Sequence, residues 1–77
     1  MSFDGAKFKE LLWRHRVPLV SVGPAIGKCA GLASVLAHKG KMSFFTADAI
    51  ATEVLGCHVS EFLAAIATAD ELQRLSA

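Results

Sequence analysis

Residues 17–37, VPLVSVGPAIGKCAGLASVLA, decide how the chain is read, because this run is apolar or small throughout apart from Lys28. It is long enough to cross a bilayer, for which about 20 apolar residues suffice. A lysine near its centre would cost about 2.5–3.5 kcal/mol there. Three glycines, two prolines and two serines also dilute the run, and cations flank both of its ends. The reading preferred here is therefore two short buried helices with a tight turn between them. Gly27 is the stop, and Leu32, Val35 and Leu36 resume a helical stripe that reaches about Lys39.

Working outward, Phe8, Leu11, Leu12 and His15 recur at helical spacing with Lys7, Lys9, Glu10, Arg14 and Arg16 on the other side. Asp4 to Arg16 is thus predicted as an amphipathic first helix, ending before Pro18. Gly40 closes the third helix, with His38, Lys39 and Lys41 where cations favour a helix end. Ser43 or Thr46 caps a fourth helix carrying Ala47, Ile50, Ala51 and Val54, and Gly56 ends it. Ser60 caps a last helix, about 60–76, with Phe62, Leu63, Ile66, Leu72 and Leu75 apolar on more than one face. The expected fold is all-α, five short helices in one domain over residues 1–77, with nothing that reads as a strand.

Composition agrees with this. Hydrophobic residues make up 53% of 77, which supplies a helical core and argues against a disordered chain. The net charge is only +1, yet it is unevenly spread. Residues 1–45 hold seven basic groups against Asp4 and Glu10, and residues 46–77 hold Arg74 against five acids. The first half can face phosphates. Cys29 and Cys57 form no CxxC pair, and His15, His38 and His58 have no zinc-ligand spacing, so neither a metal nor a cofactor is expected. The charged N-terminus is not a secretory signal, which suits a reducing cytoplasm. No nucleophile motif surrounds either cysteine, and GPAIGK (23–28) is followed by Cys29 rather than the Ser or Thr of a phosphate-binding loop. An enzyme is not expected.

Residues 32–62, LASVLAHKGKMSFFTADAIATEVLGCHVSEF, resemble the phage repressor and Cro-like helix-turn-helix family. In that family a recognition helix precedes a short basic loop, a helix ending in Leu-Gly, and a polar cap opening the last helix. The likeness is best at Ile50-Ala51, Val54–Cys57 and Val59–Phe62. It implies a lambda-repressor-like domain that binds double-stranded DNA as a cytoplasmic transcriptional repressor. Gly23, Gly27, Val22, Ile26, Ala33 and Leu36 then lock the two motif helices, although Pro24 falls inside the first of them and Lys28 stands where an apolar residue is usual. The implied DNA contacts are Lys28, Ala30, Gly31, Ser34, His38, Lys39 and Lys41, with Arg14 and Arg16 on phosphates. A homodimer through Phe62, Leu63, Ile66, Leu72 and Leu75 is expected, the alternative being that these residues fold back on the first helix. Between Val17 and Phe45 there is no Arg, Asn or Gln for bidentate base readout. That leaves open a second class, a protein-interaction module on the same fold.

Overall fold

The computed structural model describes residues 2–68, and these build an all-α globule of five helices. The first, α1, is Gly5–Arg14. Asp4 caps it by accepting from the Ala6 and Lys7 amides at 2.9 and 3.3 Å, which satisfies two of the donors a helix start leaves free. Its end is a Schellman turn: Arg16 N–H donates to Trp13 O at 3.0 Å and Val17 N–H to Leu12 O at 2.9 Å. That geometry places Arg16 at φ 56°, a left-handed position normally given to glycine. The helix is therefore shorter than the predicted Asp4–Arg16. His15 sits at its cap, exposed, with Nδ1 3.0 Å from Leu11 O, and not on the buried stripe that its spacing suggested.

Pro18 precedes α2, Leu19–Ala25, and Pro24 does lie inside it. Proline withholds the amide that would bond to the Val20 carbonyl, and α2 stops one residue later, at the closure that Gly27 provides. A second Schellman turn follows, in which Gly27 N–H donates to Pro24 O at 3.2 Å and Lys28 N–H to Gly23 O at 2.7 Å. Gly27 takes φ 76°, as its reading as the stop required. The third helix, α3, is Leu32–Lys39, closed by Gly40 at φ 67°.

Ser43 caps α4, Phe44–Leu55, through the Thr46 amide at 3.2 Å. Over Ile50–Leu55 the helix widens to a π-helix, and the Thr52 hydroxyl donates back to Asp48 O, a bond that tends to bend helices. Gly56, at φ 64°, ends it, and α5, Val59–Ile66, turns away at 103°. The cap of α5 is His58, whose Nδ1 accepts from the Ser60 amide at 3.1 Å, so the predicted Ser60 cap lies two residues too late. α5 gives way to extended backbone at Ala67 (φ −62°, ψ 144°).

Phe8 stands at the centre of the core, fully buried, edge-on to Phe3 at 5.4 Å and to Phe62 at 6.0 Å between ring centroids. Leu12, Val22, Ala33, Leu36, Ile50 and Ile66 close around this trio. Edge-to-face rings add about 0.5–1.5 kcal/mol each to the area they bury. The N-terminal strap is tied on both sides, by Phe3 N–H to Gly40 O and Asp4 N–H to Ile66 O, both at 2.8 Å. Lys7 Nζ donates to Ala67 O at 2.9 Å just past the end of α5, where a cation also suits the helix dipole.

This core takes two of the residues expected at a dimer contact. Phe62 and Ile66 are each 1% exposed and pack within their own chain, α5 lying against α1, which is the arrangement the fold-back alternative describes. Leu63 is half-buried against the same core, and Leu72 and Leu75 lie outside the described residues. Among the described residues no single helix is long and apolar enough to cross a membrane, since the run 17–37 is cut by the turn between α2 and α3.

Candidate nucleic-acid interface

The α2–turn–α3 unit is locked by a close backbone approach as well as by buried side chains. A Cβ built on Gly23 would lie 1.7 Å from the Cys29 carbonyl oxygen, so only glycine lets α2 approach the turn this closely. Val22 on α2 and Ala33 and Leu36 on α3 are buried, which fixes the roll of α3. At the other end of α3, Gly5 brings α1 against Ala37, where a Cβ would meet the Ala37 oxygen at 2.1 Å. α3 is thereby held at both ends by glycine contacts.

With Ala33 and Leu36 turned inward, the outer face of α3 presents Ser34, Val35, His38 and Lys39, and Val35 is 48% exposed. Ser34 and His38 are four apart and share one side of the helix. Together with these residues, Lys28, Ala30 and Gly31 were expected as contacts on the exposed face of the recognition helix. They belong instead to the exposed turn before it, because the Schellman closure at Gly27 and the turn bond from Leu32 N–H to Cys29 O at 3.2 Å use up those residues before helical geometry begins. Gly31 caps α3 without a side-chain acceptor, and the first amide of the helix, Leu32 N–H, is taken by the Cys29 carbonyl. Cys29 is exposed in the same turn, and Cys57 is half-buried.

The remaining predicted cations divide into two places. Lys39 and Lys41 are exposed at the end of α3, where Lys41 pairs with Ser2 across an antiparallel bridge. Arg14 and Arg16 lie at the far end of α1, whose ten residues extend about 15 Å. The two sites therefore stand at opposite ends of one helix and do not form a single cluster. Arg14 is also held by Glu10 at 2.7 Å, an exposed i,i+4 pair, while Arg16 carries no acidic partner among those described. The acids Asp48, Glu53 and Glu61 are exposed on α4 and α5, and no Lys or Arg lies between residues 46 and 68.

Several exposed apolar side chains were not anticipated as surface features. Trp13 is 79% and Val20 65% exposed, and an open apolar groove of about 440 Å³ runs beside Trp13 between Leu12, Val17, Pro18 and Leu19. Phe44 and Phe45 are exposed on the first turn of α4. The signal for the latter was their adjacency: a helix that buries Ala47, Ile50 and Ala51 has no inward place for two successive rings. Among the described residues no group of three or more His, Cys, Asp or Glu could hold a metal ion. No protein-family model matches this chain, and no curated protein or solved structure shows significant similarity to it.

Proposed function

We propose that the chain is a small DNA-binding domain of the helix-turn-helix kind, a transcriptional regulator of phage repressor and Cro-like type, and that α3 is the helix offered to the major groove of double-stranded DNA. What carries the reading is the α2–turn–α3 unit: two short helices joined through left-handed Gly27, clamped at Gly23, with an outer α3 face that no other part of the described chain covers. Helices docked in this way contact base edges near their start and phosphates at their flanks. Lys28 would engage one phosphate strand, Lys39 and Lys41 the other, and Arg14 and Arg16 a more distant phosphate. Ser34 and His38 are the hydrogen-bonding groups aimed at bases, and Val35 suits a thymine methyl. Two copies on a palindrome would sit about 34–36 Å apart. Since Phe62 and Ile66 are buried in each copy's own core, such pairing would use other surfaces.

The test is binding of purified protein to random-sequence duplex across salt concentrations. The reading predicts an affinity that falls steeply with salt, and a slope reduced by about one unit for each of Lys39 and Lys41 changed to alanine. Salt-insensitive or absent binding would overturn it. One observation favours a second reading, a protein-interaction module: the groove beside Trp13 is apolar and open, whereas α3 is poor in base-reading groups. A protein partner seated there would quench or shift the fluorescence of Trp13, the chain's single tryptophan.

A further inference from the structure

Phe44 and Phe45 are 52% and 86% exposed at the start of α4. This turn is anchored: Ser43 caps it, its hydroxyl lies 3.0 Å from that of Thr46, and Ala47 and Ile50 of the same helix are buried in the core. The rings are thus held out in water by an anchored helix. Lys41 lies three residues before Phe44, and Lys39 and His38 beyond it, all exposed. The one acid nearby in sequence is Asp48, one helical turn further along α4. A pair of aromatic rings preceded along the chain by exposed cations complements a polyanion that also offers apolar faces, and the first of those cations, His38 and Lys39, belong to the outer face of α3.

We infer that Phe45, supported by Phe44, wedges between stacked base pairs of the duplex that α3 faces, so that the protein bends its DNA and selects sites by how easily they unstack. This rests on the DNA-binding reading above. Lys39 and Lys41 hold the phosphates that separate one groove from the next, and the rings reach the neighbouring minor groove, where apolar wedges kink DNA toward the major groove. It also resolves the poverty of α3, because Ser34, Val35 and His38 offer no bidentate donor, and pyrimidine–purine steps supply selectivity through their low cost of deformation.

The experiment uses the full chain with short duplexes that carry a central TA step or none, labelled at both ends for energy transfer and with 2-aminopurine at the step. Wild type should bend the TA duplex by roughly 20–90°, brighten the 2-aminopurine and prefer that duplex. Phe45→Ala should abolish the bend and weaken binding to the TA duplex about tenfold, the scale of one lost base–aromatic stack, with the salt slope unchanged. Phe45→Trp should keep the bend. Salt-sensitive binding of straight DNA with silent 2-aminopurine would overturn the wedge and leave the DNA-binding reading standing, a result that needs no variant to fold. Absence of duplex binding would overturn both. If Phe45→Ala instead removes binding to phosphatidylserine vesicles, or lowers the molecular mass in solution, the rings cover a membrane surface or a second copy, and the wedge is refuted.

Discussion

Replacing Gly23 with alanine tests how α3 is positioned. On helix propensity alone the change should stabilise α2 by about 0.8–1.0 kcal/mol. In this fold the new methyl carbon would lie 1.7 Å from the Cys29 oxygen, and the gap must open by about 1.3 Å to reach the 3.0 Å below which Cβ contacts essentially do not occur. Both sides of the contact are backbone, so no rotamer change relieves it. Overpacking of this kind costs about 1–3 kcal/mol. Displacing the turn also strains the bond from Lys28 N–H to Gly23 O, 2.7 Å long, whose loss is worth about 1 kcal/mol. The net expectation is destabilisation by about 2 kcal/mol, which for a domain of this size lowers Tm by about 8–16 °C. Urea and thermal melts followed by circular dichroism at 222 nm read this directly. Gly31→Ala is the control, since Gly31 has no neighbour within 4 Å of a built Cβ and an ordinary φ of −83°; the entropy gained in the unfolded chain is offset by glycine's advantage at a helix N-cap, so stability should change by less than about 1 kcal/mol. A Gly23→Ala protein as stable as wild type would refute the clamp and with it the fixed placement of α3.

Arg16→Gly should raise stability by about 0.5–1 kcal/mol, because Arg16 occupies a left-handed helix stop at φ 56°; a lower melting temperature would mean the arginine side chain holds the fold. Asp4→Ala should cost about 0.5–2 kcal/mol in the same melts through loss of the two capping bonds, and Asp4→Asn should recover most of it. Phe8→Ala removes the ring shared by Phe3 and Phe62 and should cost about 3–5 kcal/mol, enough to leave the domain largely unfolded at 37 °C by the same signal. Glu10→Ala breaks only an exposed ion pair, so stability should change by less than about 1 kcal/mol while affinity for duplex DNA at low salt rises as Arg14 is released.

Much of this architecture is legible in residue types because local signals and tertiary demands agree. Gly27 after Pro24, Gly40 after the cations His38 and Lys39, and Gly56 after Val54-Leu55 all mark helix ends that the fold adopts. The misreadings have physical causes. In Lys28-Cys29-Ala30-Gly31 only Gly31 disfavours a helix, and the segment stays outside α3 because the Schellman closure and the contact at Gly23 take those residues first. His15 continues the 3.6-residue stripe on paper, yet the chain has already turned away toward Arg16. α5 offers apolar side chains on more than one face, and it is packing against α1 and α4 that sends Phe62 and Ile66 inward. The π-helical half of α4 has no sequence mark that we recognise.

The site is less legible than the fold. Lys39 and Lys41 were singled out because cations at a helix end are conspicuous, and both are exposed at the end of α3. Arg14 and Arg16 belong to the same charge cluster in sequence but are carried to the opposite end of α1, a separation set by helix length and invisible in a charge count.

The central claim is that the α2–turn–α3 face binds DNA, and the most direct measurement is a titration of isotope-labelled protein with duplex DNA, followed by backbone amide chemical shifts. The account predicts salt-sensitive changes concentrated at Lys28–Gly31, Ser34, Val35, His38, Lys39 and Lys41, with Asp48, Glu53 and Glu61 on the acidic side undisturbed. Changes confined to Trp13, Val17, Leu19 and Val20, or none at any salt concentration, would contradict it.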